Sequence, residues 1–233
     1  MLKRGVDVAL AGLLLLVSLP LLAAAAIAIK LDSEGPVFFR QARMGQGFRR
    51  FHLVKLRSMR ASIDGPGYTI AEDPRITRVG RWLRWFKVDE LPQLWNVLRG
   101  EMSLVGPRPV VSELAQEFKA DYERLLEVRP GLTDPATVKY CREDELLALV
   151  PDPPHYFKTV LMPDKVRLSA AYLERANVWR DLGVLVGTAL ALFPSRWWPG
   201  FVEDRLAQPR QAADVLFSEP ASGAEAQPSA ENV

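Results

Sequence analysis

The stretch Asp89–Pro109 reads DELPQLWNVLRGEMSLVGPRP and carries the densest chemistry of the sequence. Two adjacent carboxylates, Asp89 and Glu90, open it, and an arginine between two prolines, Arg108, stands near its end. The residues between them predict a short helix that begins at Glu90 and ends near Gly100, since glycine supplies the left-handed conformation on which helices commonly end. This helix would separate an acidic end from a basic end.

The acidic pair has a structural interpretation and a chemical one. Asp89 is a typical helix N-cap ahead of Pro92, and Glu90 would complement the helix dipole. A carboxylate ringed by bases such as Arg84 and Lys87 also stays ionised at neutral pH. Such a carboxylate can attack phosphorus, and a neighbouring carboxylate can hold Mg²⁺ together with substrate phosphates. The residues leave both interpretations open.

The loop Gly106–Pro109 holds one guanidinium between two residues of restricted backbone. Pro107 and Pro109 each fix φ, and one of their peptide bonds could be cis. A rigid Arg108 suits bidentate binding of phosphate. The alternative is an ordinary turn with an incidental surface arginine.

Upstream, Arg75–Lys87 predicts an amphipathic helix, because basic residues recur at every third position and apolar residues occupy another face. Tryptophan together with arginine is typical of a helix at a membrane interface, although a surface helix packed on the core fits equally well. The remaining pattern predicts an α+β, mostly helical fold with one small β-hairpin. The hairpin strands are Val37–Gln41 and Phe51–Leu56, and further helices are predicted over 111–128 and 168–193.

The run Val8–Ile29 is apolar and uncharged, and three alternatives fit it. It could span a bilayer, whose hydrocarbon core is about 30 Å thick, or act as a secretory signal. It could also re-enter on the side from which it starts. Pro20 interrupts the run and favours a bend there, where Ser18 could hydrogen-bond a freed backbone group. Basic residues flank both ends, which favours keeping both ends cytoplasmic.

The charge distribution indicates an anionic partner. The 233 residues carry a formal net charge of +2, yet the range Arg40–Arg60 holds seven basic residues and no acidic one. A membrane surface, a phosphate-bearing substrate or a nucleic acid would suit such a patch. The single Cys141 excludes an intrachain disulfide, and two histidines make a structural zinc site a poor interpretation.

Six segments, in this order, identify a resemblance: KRGVD, GPVFFRQARMG, VKLRSM, DPRITRVGRWLR, the 89–109 block and RPGLTDPA. Together they resemble the bacterial sugar transferase family, the monotopic polyprenol-phosphate phosphoglycosyl transferases, in its short form. The resemblance covers about Leu2 to Phe193.

The resemblance implies a reaction. By analogy, Asp89 attacks the β-phosphorus of a UDP-sugar and expels UMP, and undecaprenyl phosphate then takes the sugar phosphate from the aspartyl intermediate. Glu90 is the implied Mg²⁺ ligand. The other implied site residues are the phosphate contacts Arg108, Arg84, Lys55 and Arg57, the loop residues Pro107 and Pro109, and Asp181 with an open duty. Lys3, Arg4 and Asp7 match a motif near the membrane interface, to which the resemblance gives a structural role.

The resemblance also implies a location. A re-entrant helix bent at Pro20, with Ser18 beside the bend, would hold the protein on the cytoplasmic face of the bacterial inner membrane. The implied domains are a membrane helix over 1–30, a transferase domain over 31–202 and a disordered tail over 203–233. No nucleic acid is expected as a partner, and a homodimer is left open.

Departures from the family pattern leave the sugar undetermined. Leu19 separates Ser18 from Pro20, Asp134-Pro135 stands where many members have Gly-Trp, and Cys141–Asp164 is unusually rich in acids and prolines. Two other functions stay open beside the enzyme. One is a membrane-anchored scaffold that has lost catalysis. The other is a nucleic-acid binder built on the basic 40–60 range with its interleaved phenylalanines.

Overall fold

The computed structural model describes residues 2–60 and 73–192. In these ranges the chain is mostly helical, as the sequence predicts, and it has two small sheets, of which the sequence predicts one. The predicted tail, and the boundary that precedes it, lie outside the described residues. The helices are α1 Leu2–Asp32, α2 Arg78–Trp85, α3 Gln93–Arg99, α4 Ser112–Glu117, α5 Lys119–Leu125, α6 Pro135–Lys139, α7 Glu143–Leu147, α8 Pro153–Tyr156, α9 Met162–Leu173 and α10 Val178–Ala191; the strands are β1 Phe38–Met44, β2 Arg50–Leu56, β3 Ser103–Val105 and β4 Gly131–Thr133.

The predicted hairpin is confirmed. Strands β1 and β2 pair antiparallel, with Phe38 opposite Leu56 and Met44 opposite Arg50. A short 3-10 turn joins them, and Gly47 takes a φ of 62° there, where glycine has no steric penalty. β1 runs three residues beyond its predicted end. The hairpin presents Lys55, near the end of β2, towards the acidic pair.

A second sheet, which the sequence analysis did not predict, positions the arginine loop. Strands β3 and β4 are parallel and pair Ser103 with Gly131 and Val105 with Thr133. A Cβ atom on Gly131 would lie 2.1 Å from the backbone nitrogen of Gly106, so only glycine permits this approach. The amide of Gly131 also donates to the carbonyl of Pro107 at 2.9 Å. The loop that carries Arg108 is therefore fixed by the sheet at its base.

The N-terminal end of α1 is bound to the folded domain by polar contacts. The Arg4 guanidinium donates to the carbonyls of Val97 and Leu98, at 2.7 and 3.1 Å. These carbonyls lie near the C-terminal end of α3, where free backbone acceptors are expected. Asp7 is buried, and its carboxylate accepts a hydrogen bond of 2.8 Å from the Ser103 hydroxyl.

The C-terminal end of α1 contacts the same domain. Asp32 accepts a hydrogen bond of 3.0 Å from the amide of Val79 in the first turn of α2. The Arg57 guanidinium donates to the carbonyl of Ser33 at 2.7 Å and to that of Glu34. A helix of 31 residues is about 46 Å long, and both of its ends are held by the domain that follows it.

The middle of α1 is long and apolar enough to anchor the protein in a membrane by its length and composition. The helix continues through Pro20. Ser18 donates to the carbonyl of Leu15 at 2.9 Å, one residue before the carbonyl that Pro20 leaves without its usual donor. Large apolar side chains over 13–21 are exposed, and only a few α1 residues, including Ala11 and Ile29, are buried against the domain.

The predicted helices differ from those observed mainly at their ends. The predicted Arg75–Lys87 helix is shorter, because Thr77 caps α2 by accepting a hydrogen bond from the amide of Gly80 and Lys87 turns left-handed at a φ of 54°. The predicted 111–128 helix divides into α4 and α5 at Phe118. The predicted 168–193 helix divides into α9 and α10, since Asn177 caps a new helix.

Candidate active site

Asp89 lies in a 3-10 turn, Val88–Glu90, between α2 and α3. The N-cap interpretation is wrong: α3 begins at Gln93, and Pro92 precedes it in helical conformation. The Asp89 side chain is 4% exposed, and in residues 2–60 and 73–192 its Oδ1 atom has no hydrogen-bond partner. A buried carboxylate oxygen without a donor is costly in a fold, so its position suggests a chemical use.

Glu90, its neighbour, is paired with two cations. Its Oε1 atom accepts from Lys55 Nζ at 3.0 Å and from the Arg108 guanidinium. Burial favours the neutral acid, but Arg108 and Lys55 outweigh it and hold the pKa of Glu90 well below its usual range. Glu90 is therefore a fixed negative charge between a strand residue and a loop residue.

Asp89 responds to the same surroundings in the opposite direction. Burial raises the pKa of Asp89, and the charge of Glu90 raises it further. Lys55, Lys87 and Arg84 oppose this rise by favouring the ionised form. The sequence indicates the cations near Asp89 but not the burial of its side chain. Two adjacent residues in a tight turn can differ strongly in their surroundings.

The Pro-Arg-Pro loop is held by its backbone and its side chain. Arg108 Nη1 donates to the Leu132 carbonyl at 3.2 Å, while Nη2 contacts Glu90. The carbonyl of Pro109 accepts a contact of 3.4 Å from Arg43. The suggested cis bond is not found: the described peptide bonds are all trans.

Arg84 lies close enough to Asp89 to lower its pKa. Within the described ranges its Nε atom is buried and has no hydrogen-bond partner. Three predicted cations, Lys55, Arg84 and Arg108, thus gather around the acidic pair.

Two predicted site residues are instead used in holding α1. Arg57 donates to carbonyls at the C-terminal end of α1, including that of Ser33. Asp181, in the first turn of α10, pairs with Lys3 at 2.8 Å and accepts from the Tyr172 hydroxyl. Asp181 therefore ties the start of α1 to α10, beside a cavity of about 170 Å³ lined largely by apolar side chains.

Arg43 is a site residue that sequence reasoning missed. Burial and the nearby Arg108 lower the pKa of Arg43 to about 10, and its Nε atom is buried without a partner in the part of the chain that the structure describes. Arg43 lies two residues beyond Gln41, where the sequence predicts the first strand to end, whereas β1 continues to Met44. Nothing in the sequence indicates that the Arg43 guanidinium would contact the carbonyl of Pro109.

The departures from the family pattern have local structural roles. Asp134 is buried and caps α6, accepting from the Thr137 amide at 2.7 Å and from the Ser169 hydroxyl. In the unusual 141–164 segment, the Arg142 guanidinium stacks on the Trp85 ring at 3.9 Å from its centroid. This contact ties the segment to α2, the helix that carries Arg84.

The fold and the site together define a domain with a long apolar N-terminal helix and a buried acidic pair beneath basic side chains. The chain belongs to the bacterial sugar transferase family, whose model matches residues 1–195.

Individual relatives carry names for related reactions. A UDP-glucose:undecaprenyl-phosphate glucose-1-phosphate transferase of Caulobacter vibrioides is 42% identical over 196 residues, which are 82% of this chain and 69% of that protein. An undecaprenyl-phosphate glucose phosphotransferase of Komagataeibacter xylinus is 40% identical over 192 residues, which are 78% of this chain and 34% of that protein.

A third relative is named for a different sugar. The UDP-N-acetylgalactosamine-undecaprenyl-phosphate N-acetylgalactosaminephosphotransferase of Aeromonas hydrophila is 42% identical over 143 residues, 58% of this chain and 33% of that protein. The chain spans about a third of the length of the latter two relatives. The region of similarity is common to proteins that differ in their sugar.

Proposed function

We propose that this protein transfers a sugar 1-phosphate from a UDP-sugar to undecaprenyl phosphate through a covalent intermediate on Asp89. The observation that carries the proposal is the buried Oδ1 atom of Asp89, which has no hydrogen-bond partner in residues 2–60 and 73–192, beside an ion-paired Glu90. The names of the relatives support the two substrates.

The reaction has two displacements at one phosphorus. An oxygen of ionised Asp89 attacks the β-phosphorus of the UDP-sugar. The bond from the β-phosphorus to the oxygen that it shares with the α-phosphorus breaks, and UMP leaves with the electron pair of that bond. An oxygen of the lipid phosphate then attacks the same phosphorus and breaks the bond to Asp89. Neither displacement depends on proton transfer, so the main tasks of the site are to position the substrates and to neutralise their charge.

The cations have separate duties in this scheme. Lys55 and Arg108 neutralise Glu90 and offer further donors to phosphate oxygens, for which the Arg108 fork is well shaped. Arg84 favours the ionised form of Asp89. Pro107 and Pro109 keep the Arg108 backbone in place.

The adjacent carboxylates support Mg²⁺ as the cofactor. Mg²⁺ is usually held by one or two carboxylates together with substrate phosphates, and Asp89, next to Glu90, has a buried Oδ1 atom without a donor in the described residues. Glu90 is the residue that we propose holds the ion. When bound, Mg²⁺ would neutralise charge on the diphosphate.

The same proposal places α1 as a re-entrant helix on the cytoplasmic face of the inner membrane. Support comes from Arg4 and Asp7 at one end and Asp32 at the other, which all contact the domain that holds Asp89. A helix that crossed the bilayer would separate these ends by about 30 Å of hydrocarbon. A homodimer stays a prediction.

A UMP-release assay tests the proposal. The full-length protein is supplied with undecaprenyl phosphate, Mg²⁺ and a panel of UDP-sugars in turn, and Asp89→Asn is measured beside it. We expect UMP release with at least one UDP-sugar and its loss in Asp89→Asn. Equal release by Asp89→Asn would contradict the role of Asp89, and no release with any sugar would favour the inactive scaffold.

A further inference from the structure

Two buried side-chain amides lie on α3 and differ in how they are satisfied. Gln93 and Asn96 are each 1% exposed. Asn96 Nδ2 donates to the His52 carbonyl at 2.8 Å and to Glu101 at 2.7 Å, and its Oδ1 accepts from the Val54 amide at 3.1 Å. Asn96 thus ties α3 to the hairpin. The Nε2 atom of Gln93 has no hydrogen-bond partner among the residues the structure describes.

An unsatisfied buried amide destabilises a fold, and a methionine of similar shape would fill the same space without that penalty. A buried glutamine whose Nε2 has no acceptor within the described ranges is therefore better explained by a ligand than by packing. The exposure of Gln93 is no greater than that of Asn96, so bulk solvent does not reach it.

The position of Gln93 identifies the ligand by its chemistry. Gln93 follows Asp89 by four residues, and the chain between them forms a tight turn through the helical residues Leu91 and Pro92, so Gln93 lies about one turn further along the chain than Asp89. Among the described residues, a buried donor without an acceptor thus lies about one turn from a buried acceptor without a donor. The group that Asp89 attacks would carry acceptor oxygens into this place.

We propose that Gln93 is a further catalytic residue, whose Nε2 donates a hydrogen bond to a non-bridging phosphate oxygen of the sugar phosphate on Asp89. This rests on the proposed function. Charge spreads over the non-bridging oxygens during phosphoryl transfer, and a donor already in place stabilises it. Lys55 and Arg108 contact Glu90, whereas the Nε2 atom of Gln93 has no acceptor in the described residues and the amide is neutral, so Gln93 adds a donor without altering the charge of the pair.

The test compares Gln93→Met with Asn96→Leu in the full-length protein, measuring the thermal unfolding midpoint and UMP release. We expect Gln93→Met to unfold at the wild-type temperature or above, and to lose roughly tenfold to hundredfold in turnover. Asn96→Leu should unfold at a lower temperature, because it strands the partners of Asn96. Gln46→Met is the matched control on an exposed turn, and its turnover should equal that of the wild type.

Gln93→Glu covers the case in which Gln93→Met unfolds early. It keeps the shape but replaces the donor by a carboxylate that repels phosphate, so its turnover should fall below that of Gln93→Met. Wild-type turnover in Gln93→Met, or a Gln93→Glu variant at least as active as Gln93→Met, would overturn the proposal. Failure of the proposed function would look different: the wild type itself would release no UMP, or Asp89→Asn would match it.

Discussion

Asp89 and Glu90 are joined by one peptide bond, yet their surroundings shift their pKa values in opposite directions. Glu90 is ionised well below neutral pH because Arg108 and Lys55 contact it. Burial raises the pKa of Asp89, whose Oδ1 atom has no hydrogen-bond partner in the described part of the chain. The two carboxylates are therefore suited to different work, one as a permanent charge and the other as a group whose ionisation controls attack.

The first prediction concerns the pH dependence of the reaction. Lys87 lowers the pKa of Asp89, so Lys87→Gln should raise that pKa. Because attack requires ionised Asp89, the acidic limb of a plot of kcat/KM against pH should move to higher pH. UMP release measured across the acidic range checks this.

Lys119→Gln is the matched control, since it removes the same charge from an exposed position on α5 whose partner is Glu123. Its pH profile should coincide with that of the wild type. An acidic limb in Lys87→Gln that stays in place, or that moves to lower pH, would contradict the assignment of Asp89 as the group that must ionise.

The sequence points directly to the acidic pair and the Arg108 loop as candidate site residues, because adjacent acids and a Pro-Arg-Pro turn are local patterns. It cannot assign Arg57 or Asp181, since each takes its role from α1, far away in sequence. Arg43 was missed for a related reason: its contact with Pro109 depends on how the hairpin packs on the loop.

At the scale of elements, the glycine contact between β3 and β4 determines where the arginine loop begins. A Cβ on Gly131 would lie within 2.4 Å of backbone atoms of Gly106, and backbone cannot move aside cheaply. We therefore predict that Gly131→Ala separates the strands, shifts Arg108 from Glu90 and lowers UMP release at least about tenfold, together with a lower unfolding midpoint.

Gly183→Ala is the control for this second prediction. Gly183 lies inside α10 with nothing within 4 Å of its would-be Cβ, so alanine there should raise stability by about 1 kcal/mol through helix propensity. Thermal unfolding and UMP release would be measured for both variants. A Gly131→Ala protein that behaves like Gly183→Ala would refute the positioning role of the strand pair.

The sequence predicts the presence of the helices and the hairpin more reliably than the residues at which they begin and end. The three-residue pattern of basic residues continues past both ends of α2, but Thr77 and Lys87 set those ends through a cap and a left-handed turn. The parallel pair β3–β4 is only three residues per strand, too short for a periodic pattern to indicate.

At the scale of the whole molecule, α1 is the feature that decides how the site meets a lipid. Its apolar run predicted a membrane helix, but length and composition left three topologies open. The contacts of Arg4 and Asp32 could not be foreseen, because they join the ends of α1 to α3 and α2. These contacts favour a helix with both ends on one side.

Cysteine labelling tests this topology. In a Cys141→Ser background, single cysteines at the exposed positions Leu2 and Glu34 would be treated with a membrane-impermeant maleimide. We expect both to react in inside-out vesicles and neither to react in intact spheroplasts. Reaction of the two positions from opposite faces would establish a spanning helix.

The most direct measurement is the capture of the covalent intermediate. The wild type and Asp89→Asn would be incubated with UDP-sugar and Mg²⁺ but no lipid acceptor, denatured, and analysed by mass spectrometry of intact protein and peptides. The account predicts a sugar phosphate on the peptide that contains Asp89, released when undecaprenyl phosphate is added before denaturation, and no adduct in Asp89→Asn. A sugar phosphate on another residue, or full transfer to lipid by Asp89→Asn, would contradict it.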